Sequence, residues 1–470
     1  MLLHSLLIVA ATYLVGDWLA GLAAAVLLLV WRLLPSEEGP PVLALAMSMQ
    51  WLQVTAGVFY GGLTDRMLPA MLQSDYRPMV LIGLGCVTAL TIGLFFGRWA
   101  VRTHMAVPEQ PPVEVVGWKL LLGAYVGSVA VTGIVQQLAW QFPTLTQAIL
   151  ALSYARLAIL FLVFRRLASP RLRGELILAL LLFEVALGFT GYYSGFKEPL
   201  LLAVMATLEN FDPRRTQHWV TGAVLALMLG LAGVMWMGVR TEFRRDFDDE
   251  VFAASRSTRV ERMQALTTDW IRQSSDRIEQ DMDVLVDRLW AVYYPALAVD
   301  RVPDVLPHTD GQILTDALVH LVTPRLLFPN KPELPSDSEL VRKYSGVLVA
   351  GAEENTSIAF GYAAESYVDF GIPVMFLPMV VFGLLMGMAY EALLRTIHHR
   401  ELAIALVTVI FWLGLYLFER SWIKTLGFSL TLIVYLGGLS FLVDRWLLLR
   451  VVREQRQEHL EAEALYDTHA

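Results

Sequence analysis

"MVLIGLGCVTALTIGLFF" (residues 79–96) has no charged side chain anywhere along its length. In water such a run would need complete enclosure by protein. A helix of about 20 apolar residues is also what crosses the ~30 Å hydrocarbon core of a bilayer, because it satisfies its backbone polar groups internally. The stretch is not isolated. Apolar segments recur at 2–15, 18–34, 42–60, 118–138, 146–164, 174–191, 198–209, 217–238, 372–392, 401–418 and 425–447, which makes twelve in all. Of 470 residues, 56% are hydrophobic and 17% charged, where a soluble domain carries about 25% charged. The chain reads as an all-α polytopic membrane protein with about 12 transmembrane helices.

Four regions follow. Residues 1–238 form an N-terminal transmembrane bundle, and 239–371 a large external loop between the ninth and tenth helices. Residues 372–447 form a three-helix segment and 448–470 a tail. The first pair of segments breaks at Gly16-Asp17, and 198–209 is short. Half-spans of this kind are tolerated only when packed inside protein. Lysine and arginine concentrate in "GRWAVRTH" (97–104), "RRLASPRLR" (165–173), "DPRR" (212–215), "RTIHHR" (395–400) and the tail. Positive charge accumulates on the cytoplasmic side. If 198–209 crosses, both termini are cytoplasmic and the long loop lies outside. The segment 2–15 reads as a membrane helix rather than a removable signal. Within the loop, helical periodicity runs through 239–290, where Met263, Leu266, Trp270 and Ile271 are expected to share an apolar face, and a further helix is expected near "GQILTDALVHLV" (311–322).

Soluble-enzyme signatures are missing. Cys86 is the single cysteine, which excludes internal disulfides. "LIGLG" (81–85) lacks the lysine-serine pair of a phosphate loop, and there is no HExxH or aspartate-rich metal motif, so neither a metal nor another cofactor is expected.

The charges inside or beside apolar segments carry more information, since each costs roughly 2.5–3.5 kcal/mol at mid-membrane. Arg156 and Glu184 lie near the middles of consecutive spans. They read either as an ion pair between antiparallel neighbours or as polar lining for an amphiphilic substrate. In "GYYSGFKEPLLL" (191–202), Lys197 occupies a break between two apolar runs. It either snorkels to the surface or contacts an anion. "PRLLFPNKPELPSDSEL" (324–340) braces Arg325 and Lys331 on four prolines, with Arg288 upstream. Arginine is the preferred bidentate donor to phosphate and lysine a point charge. Glu365 and Asp369 stand four apart on one helix face, either as an exposed acidic cap or as a general base toward a sugar hydroxyl. Arg420 and Lys424 add outward cations in "LFERSWIKTLG" (417–427). Cations gathered on the side normally depleted of them call for an anionic ligand.

"TPRLLFPNKPEL" (323–334) followed by "NTSIAFGYAAESYVDFGIPVMFLPMVVFGLLMG" (355–387) resembles the carboxy-terminal signature of O-antigen polysaccharide polymerases, the Wzy-type oligosaccharide repeat-unit polymerases. Arg325, Phe328, Pro329, Lys331, Pro332, Gly361, Glu365, Asp369, Phe370 and Gly371 occupy the signature places. The resemblance implies a C-type membrane glycosyltransferase of the bacterial inner membrane, acting on undecaprenyl-pyrophosphate-linked repeat units at the outer face without a metal. Arg325, Lys331, Arg288, Lys197, Arg420 and Lys424 would meet the donor pyrophosphate, and Glu365 or Asp369 the acceptor hydroxyl. A flippase and a chain-length regulator are the expected protein partners, with no nucleic acid. Three other readings stand beside it: a flippase for the same lipid-linked glycan, a non-catalytic partner of a glycan-export machine, and a ligase.

Overall fold

A computed structural model describes residues 2–106, 118–142, 145–168, 174–189, 197–209, 211–212, 214–247, 256–272, 275–323, 328, 330–351, 353 and 356–446. Among these, the regular elements are all helical. The chain opens with α1 (Leu2–Val15), α2 (Trp18–Leu33), α3 (Val42–Thr64), the short α4 (Pro69–Gln73) and α5 (Arg77–Arg102). Next come α6 (Trp118–Gln141), α7 (Thr146–Ser153), α8 (Ala155–Ala168), α9 (Gly174–Phe189), α10 (Lys197–Glu209) and α11 (Thr216–Phe247). The hydrophilic stretch folds as α12 (Arg256–Ile271), α13 (Ser275–Leu289), α14 (Tyr293–Arg301), α15 (Gln312–Val322), α16 (Asp337–Ser345) and α17 (Tyr362–Phe370). The chain then returns through α18 (Phe376–Thr396), α19 (Arg400–Leu415) and α20 (Trp422–Thr431), which continues through a π turn at Leu432–Leu436.

Among the described residues, each apolar segment of the sequence thus contains a helix, but the helices are unequal. Among the described residues, six helical stretches are long and apolar enough to cross a membrane: Val42–Thr64, Arg77–Arg102, Thr146–Ala168, Thr216–Phe243, Phe376–Thr396 and Trp422–Trp446. The molecule is a helical membrane protein on that ground. The short helix α10 has 13 residues, about 20 Å at 1.5 Å per residue, less than the ~30 Å core. It packs against α8, α9 and α11 inside the bundle, where a partial span is permitted.

The closest helix pair is α5 with α18. Gly93 and Gly97 of α5 face Gly383 and Gly387 of α18, and a Cβ added at any of the four would fall 2.1–2.4 Å from a backbone carbonyl oxygen of the other helix. Both are glycine pairs spaced four apart, the pattern that lets membrane helices approach backbone to backbone. The middle of the bundle is α19, buried without interruption from Ala403 to Leu415 and packed on α3, α8, α18 and α20. A helix apolar on all sides has no face to give to solvent or lipid. Its C-terminal carbonyls are nevertheless satisfied, because buried Gln50 and Gln53 of α3 donate to Leu415 and Tyr416.

The hydrophilic helices lie on the bundle rather than apart from it. Helix α13 packs on α11 and α3, where Arg66 pairs with Asp283 at 2.7 Å, and α14 reaches α5. Trp290 lies flat over Gly57 and donates to the Val54 carbonyl at 2.8 Å. Met263, Leu266 and Trp270 of α12 are buried as expected, but Ile271 is 69% exposed. It follows Trp270 by one residue, a turn of about 100° that carries it off the face.

Candidate functional site

The two acids of α17 join three helices. Glycines at both ends make this joint: Gly361 (φ 93°) leads into α17 and Gly371 (φ 61°) ends it, both in a region that side chains disfavour. Asp369 is fully buried, and it accepts the backbone N–H groups of Ile313 (3.0 Å) and Leu314 (2.9 Å) as well as the Thr309 hydroxyl. Helix α15 begins at Gly311 with no side-chain cap of its own, so Asp369 supplies the cap across more than fifty residues of sequence. One residue-turn earlier, Glu365 accepts the Trp422 N–H at 2.7 Å at the start of α20, where Ser421 makes no cap bond. Ser366 accepts from the Trp422 indole at 2.7 Å. The pair expected as a general base therefore holds the N-termini of α15 and α20, with neither carboxyl facing open solvent.

Two measurable consequences arise here. Asp369→Ala leaves two partly buried N–H groups and a hydroxyl without their acceptor, so a loss of about 2–4 kcal/mol is expected, read as a lowered midpoint of thermal unfolding in detergent. Burial raises the Glu365 carboxyl from its usual 4.5 to about 8, with Asp337 and Asp369 pushing the same way and Lys424 opposing. The folded state then holds a proton that the unfolded chain has released, and stability falls as pH rises from about 4.5 toward 8. Glu365→Gln keeps an acceptor for Trp422 but cannot ionise. It should gain on the wild type across that window and match it at lower pH.

The cations do not gather as one cluster. Lys331 donates to the His320 carbonyl at 3.0 Å in the last turn of α15, where a positive charge favours the helix dipole. Lys424 pairs with buried Asp337 at 2.6 Å and contacts Ser357 at 2.9 Å. Arg288 makes a two-pronged pair with Glu419, at 2.7 and 3.2 Å. Arg156 of α8 meets Glu184 of α9 at 2.9 Å, and Tyr125 also bonds that carboxylate. This is the antiparallel-neighbour pairing that the sequence allowed. Arg325 and Pro329 lie outside the described residues.

Two cations do share surroundings. Lys197 begins α10 and lies 5.6 Å from the centre of the Tyr416 ring, and Arg420 lies 4.8 Å over Phe428 while donating to the Leu413 carbonyl at 3.1 Å. Tyr154, at the break between α7 and α8, packs edge-on against Phe428, with ring centres 5.8 Å apart. Tyr154 and Tyr416 each feel the charge of both Lys197 and Arg420, and Glu198 faces the same group. Burial holds the Arg420 guanidinium below its usual range. Glu419, next along the chain, is already engaged by Arg288. The result is an aromatic-walled polar site built from α7–α8, α10 and the α19–α20 connection. Sequence reading singled out Lys197 and Arg420 but not Tyr154 or Tyr416. Tyr154 stands two residues before Arg156 in a segment that the sequence presents as one continuous helix, and the break beside it appears only in the structure. A guanidinium fork and an ammonium on aromatic walls at the bundle's end suit a pyrophosphate bearing an apolar tail.

The family model described as "Domain of unknown function (DUF8712)" matches residues 111–395, more than half of the chain. No curated protein and no solved structure matches.

Proposed function

The chain belongs to the DUF8712 family, and we propose that it is a membrane glycosyltransferase joining lipid-linked oligosaccharide repeat units at the outer face of a bacterial inner membrane, with both termini cytoplasmic. The observation that supports this reading is that Lys197 and Arg420 face the same tyrosines, Tyr154 and Tyr416, in one aromatic-walled site. Arg420 takes the donor pyrophosphate through its fork and Lys197 adds a point charge. As the bond from the sugar's anomeric carbon to the phosphate oxygen breaks, the electron pair leaves on pyrophosphate, where both cations stabilise it. The acceptor hydroxyl oxygen forms the new bond, and its proton passes to Glu198, the carboxylate beside Lys197. Arg288, through Glu419, positions the α19–α20 connection that carries Arg420. Glu365, Asp369, Lys331 and Lys424 act as struts of the scaffold.

The test is direct. Purified protein in nanodiscs is given one undecaprenyl-pyrophosphate-linked repeat unit, and products are resolved by length. A ladder is expected. Movement of substrate across the bilayer without joining would replace this reading with a flippase, and transfer of a finished glycan to another acceptor would replace it with a ligase.

A further inference from the structure

At the opposite end of the bundle, α5 and α18 finish side by side. The α2–α3 connection and the start of α19 close with them around a small polar cleft. Arg98, Arg102, Arg395 and Arg400 line it, together with Glu37, Glu38 and Glu391. The three carboxylates differ in kind. Glu391 is 3% exposed and receives Arg102 at 3.0 Å, Arg395 at 3.1 Å and Arg98 at 3.4 Å. Glu37 and Glu38 reach Arg102 and Arg400 from the loop outside, with side chains 65% and 47% exposed. Three guanidinium groups therefore share one buried counter-charge, Arg400 relies on exposed Glu38, and the four arginines exceed the three carboxylates by one charge.

Guanidinium forks converging in a recess match the oxygens of a phosphate, which carries more charge than a carboxylate and accepts more bonds. We infer that this cleft binds a phosphate-bearing anion, with Glu37 and Glu38 as carboxylates that the ligand displaces. Basic recesses between membrane helices on the side of positive bias suit the headgroups of anionic lipids. A soluble phosphate offers the same chemistry. The site is independent of the donor site, which uses none of these residues.

The experiment uses full-length protein carrying Lys197→Ala and Arg420→Ala, so that neither cation of the donor site contributes. Calorimetry follows inorganic pyrophosphate added to phosphatidylcholine nanodiscs, and native mass spectrometry follows phosphatidylglycerol retained from mixed nanodiscs. Saturable binding of at least one probe is expected. It should weaken about tenfold or more in Arg102→Gln and tighten about tenfold in Glu37→Gln/Glu38→Gln, the size of one charge-assisted contact. Binding of pyrophosphate alone supports a soluble ligand, and binding of phosphatidylglycerol alone supports a lipid headgroup. Binding of neither, or an unchanged affinity in the double glutamine variant, overturns the site and leaves an internal ion-pair network. Should Arg102→Gln fail to fold, the double glutamine variant decides alone, because both of its positions face solvent.

Discussion

Arg420→Ala is expected to abolish the product ladder, lowering the rate of chain extension by about 10²-fold or more, the range seen when a charge-stabilising donor is removed. The guanidinium is half-buried, stacks over Phe428 and shares Tyr154 and Tyr416 with Lys197. A methyl group leaves the pyrophosphate's developing charge facing aromatic rings with only Lys197 to meet it. Arg420→Lys separates charge from geometry. It keeps the cation but loses the planar fork and the reach to the Leu413 carbonyl, so it should recover part of the rate without restoring wild-type affinity for the donor. Lys331→Ala is the contrasting control. That lysine caps α15, and its loss should cost about 0.3–1 kcal/mol of stability while leaving the ladder intact. A full ladder from well-folded Arg420→Ala would remove the donor site from this pocket.

The second large effect concerns assembly. Gly97→Ala and Gly387→Ala should each cost about 3 kcal/mol or more, beyond the usual range of overpacking, because the new Cβ meets backbone and not a movable side chain. At Gly97 it would lie 2.1 Å from the Leu384 carbonyl oxygen and 2.8 Å from the Met388 nitrogen; at Gly387, 2.3 Å from the Leu94 oxygen. Helices α5 and α18 would have to separate along their whole contact, taking the donors Arg98 and Arg102 away from Glu391. Intrinsic propensity points the other way, since alanine is favoured over glycine in a helix by about 1 kcal/mol. Gly123→Ala and Gly222→Ala, where nothing lies within 4 Å of the added atom, should therefore be neutral or slightly stabilising. Yield of monodisperse protein and the thermal midpoint in detergent read both sets, and equal behaviour of the two would dismiss the close-packing account.

Membrane character and helix placement were legible in the sequence because both depend on neighbours within a few residues. An uncharged run such as 79–96 must be helical in lipid whatever surrounds it, and among the described residues each apolar segment contains a helix. Arg156 and Glu184 could be matched in the same way, since spans joined by a short connection come back beside each other. Span count was less legible: hydropathy marks a run as apolar, whereas the 13 residues of α10 lie within the bundle through their packing on three other helices. The acids of α17 show the limit most clearly. Two carboxyls four apart on a helix look alike whether they await a substrate or cap other helices, and the difference rests with Ile313, Leu314 and Trp422, whose N–H groups arrive from more than fifty residues away. Lys331 likewise shows a cation in sequence but not the His320 carbonyl that takes it. The sequence by itself determined which segments are helical and which residues carry charge, because local backbone and solvation energies settle those. Tertiary structure alone decided which charges are spent on helix ends and which, like Lys197 and Arg420, stand together on aromatic walls, because a hydrogen-bond partner is a matter of position in space.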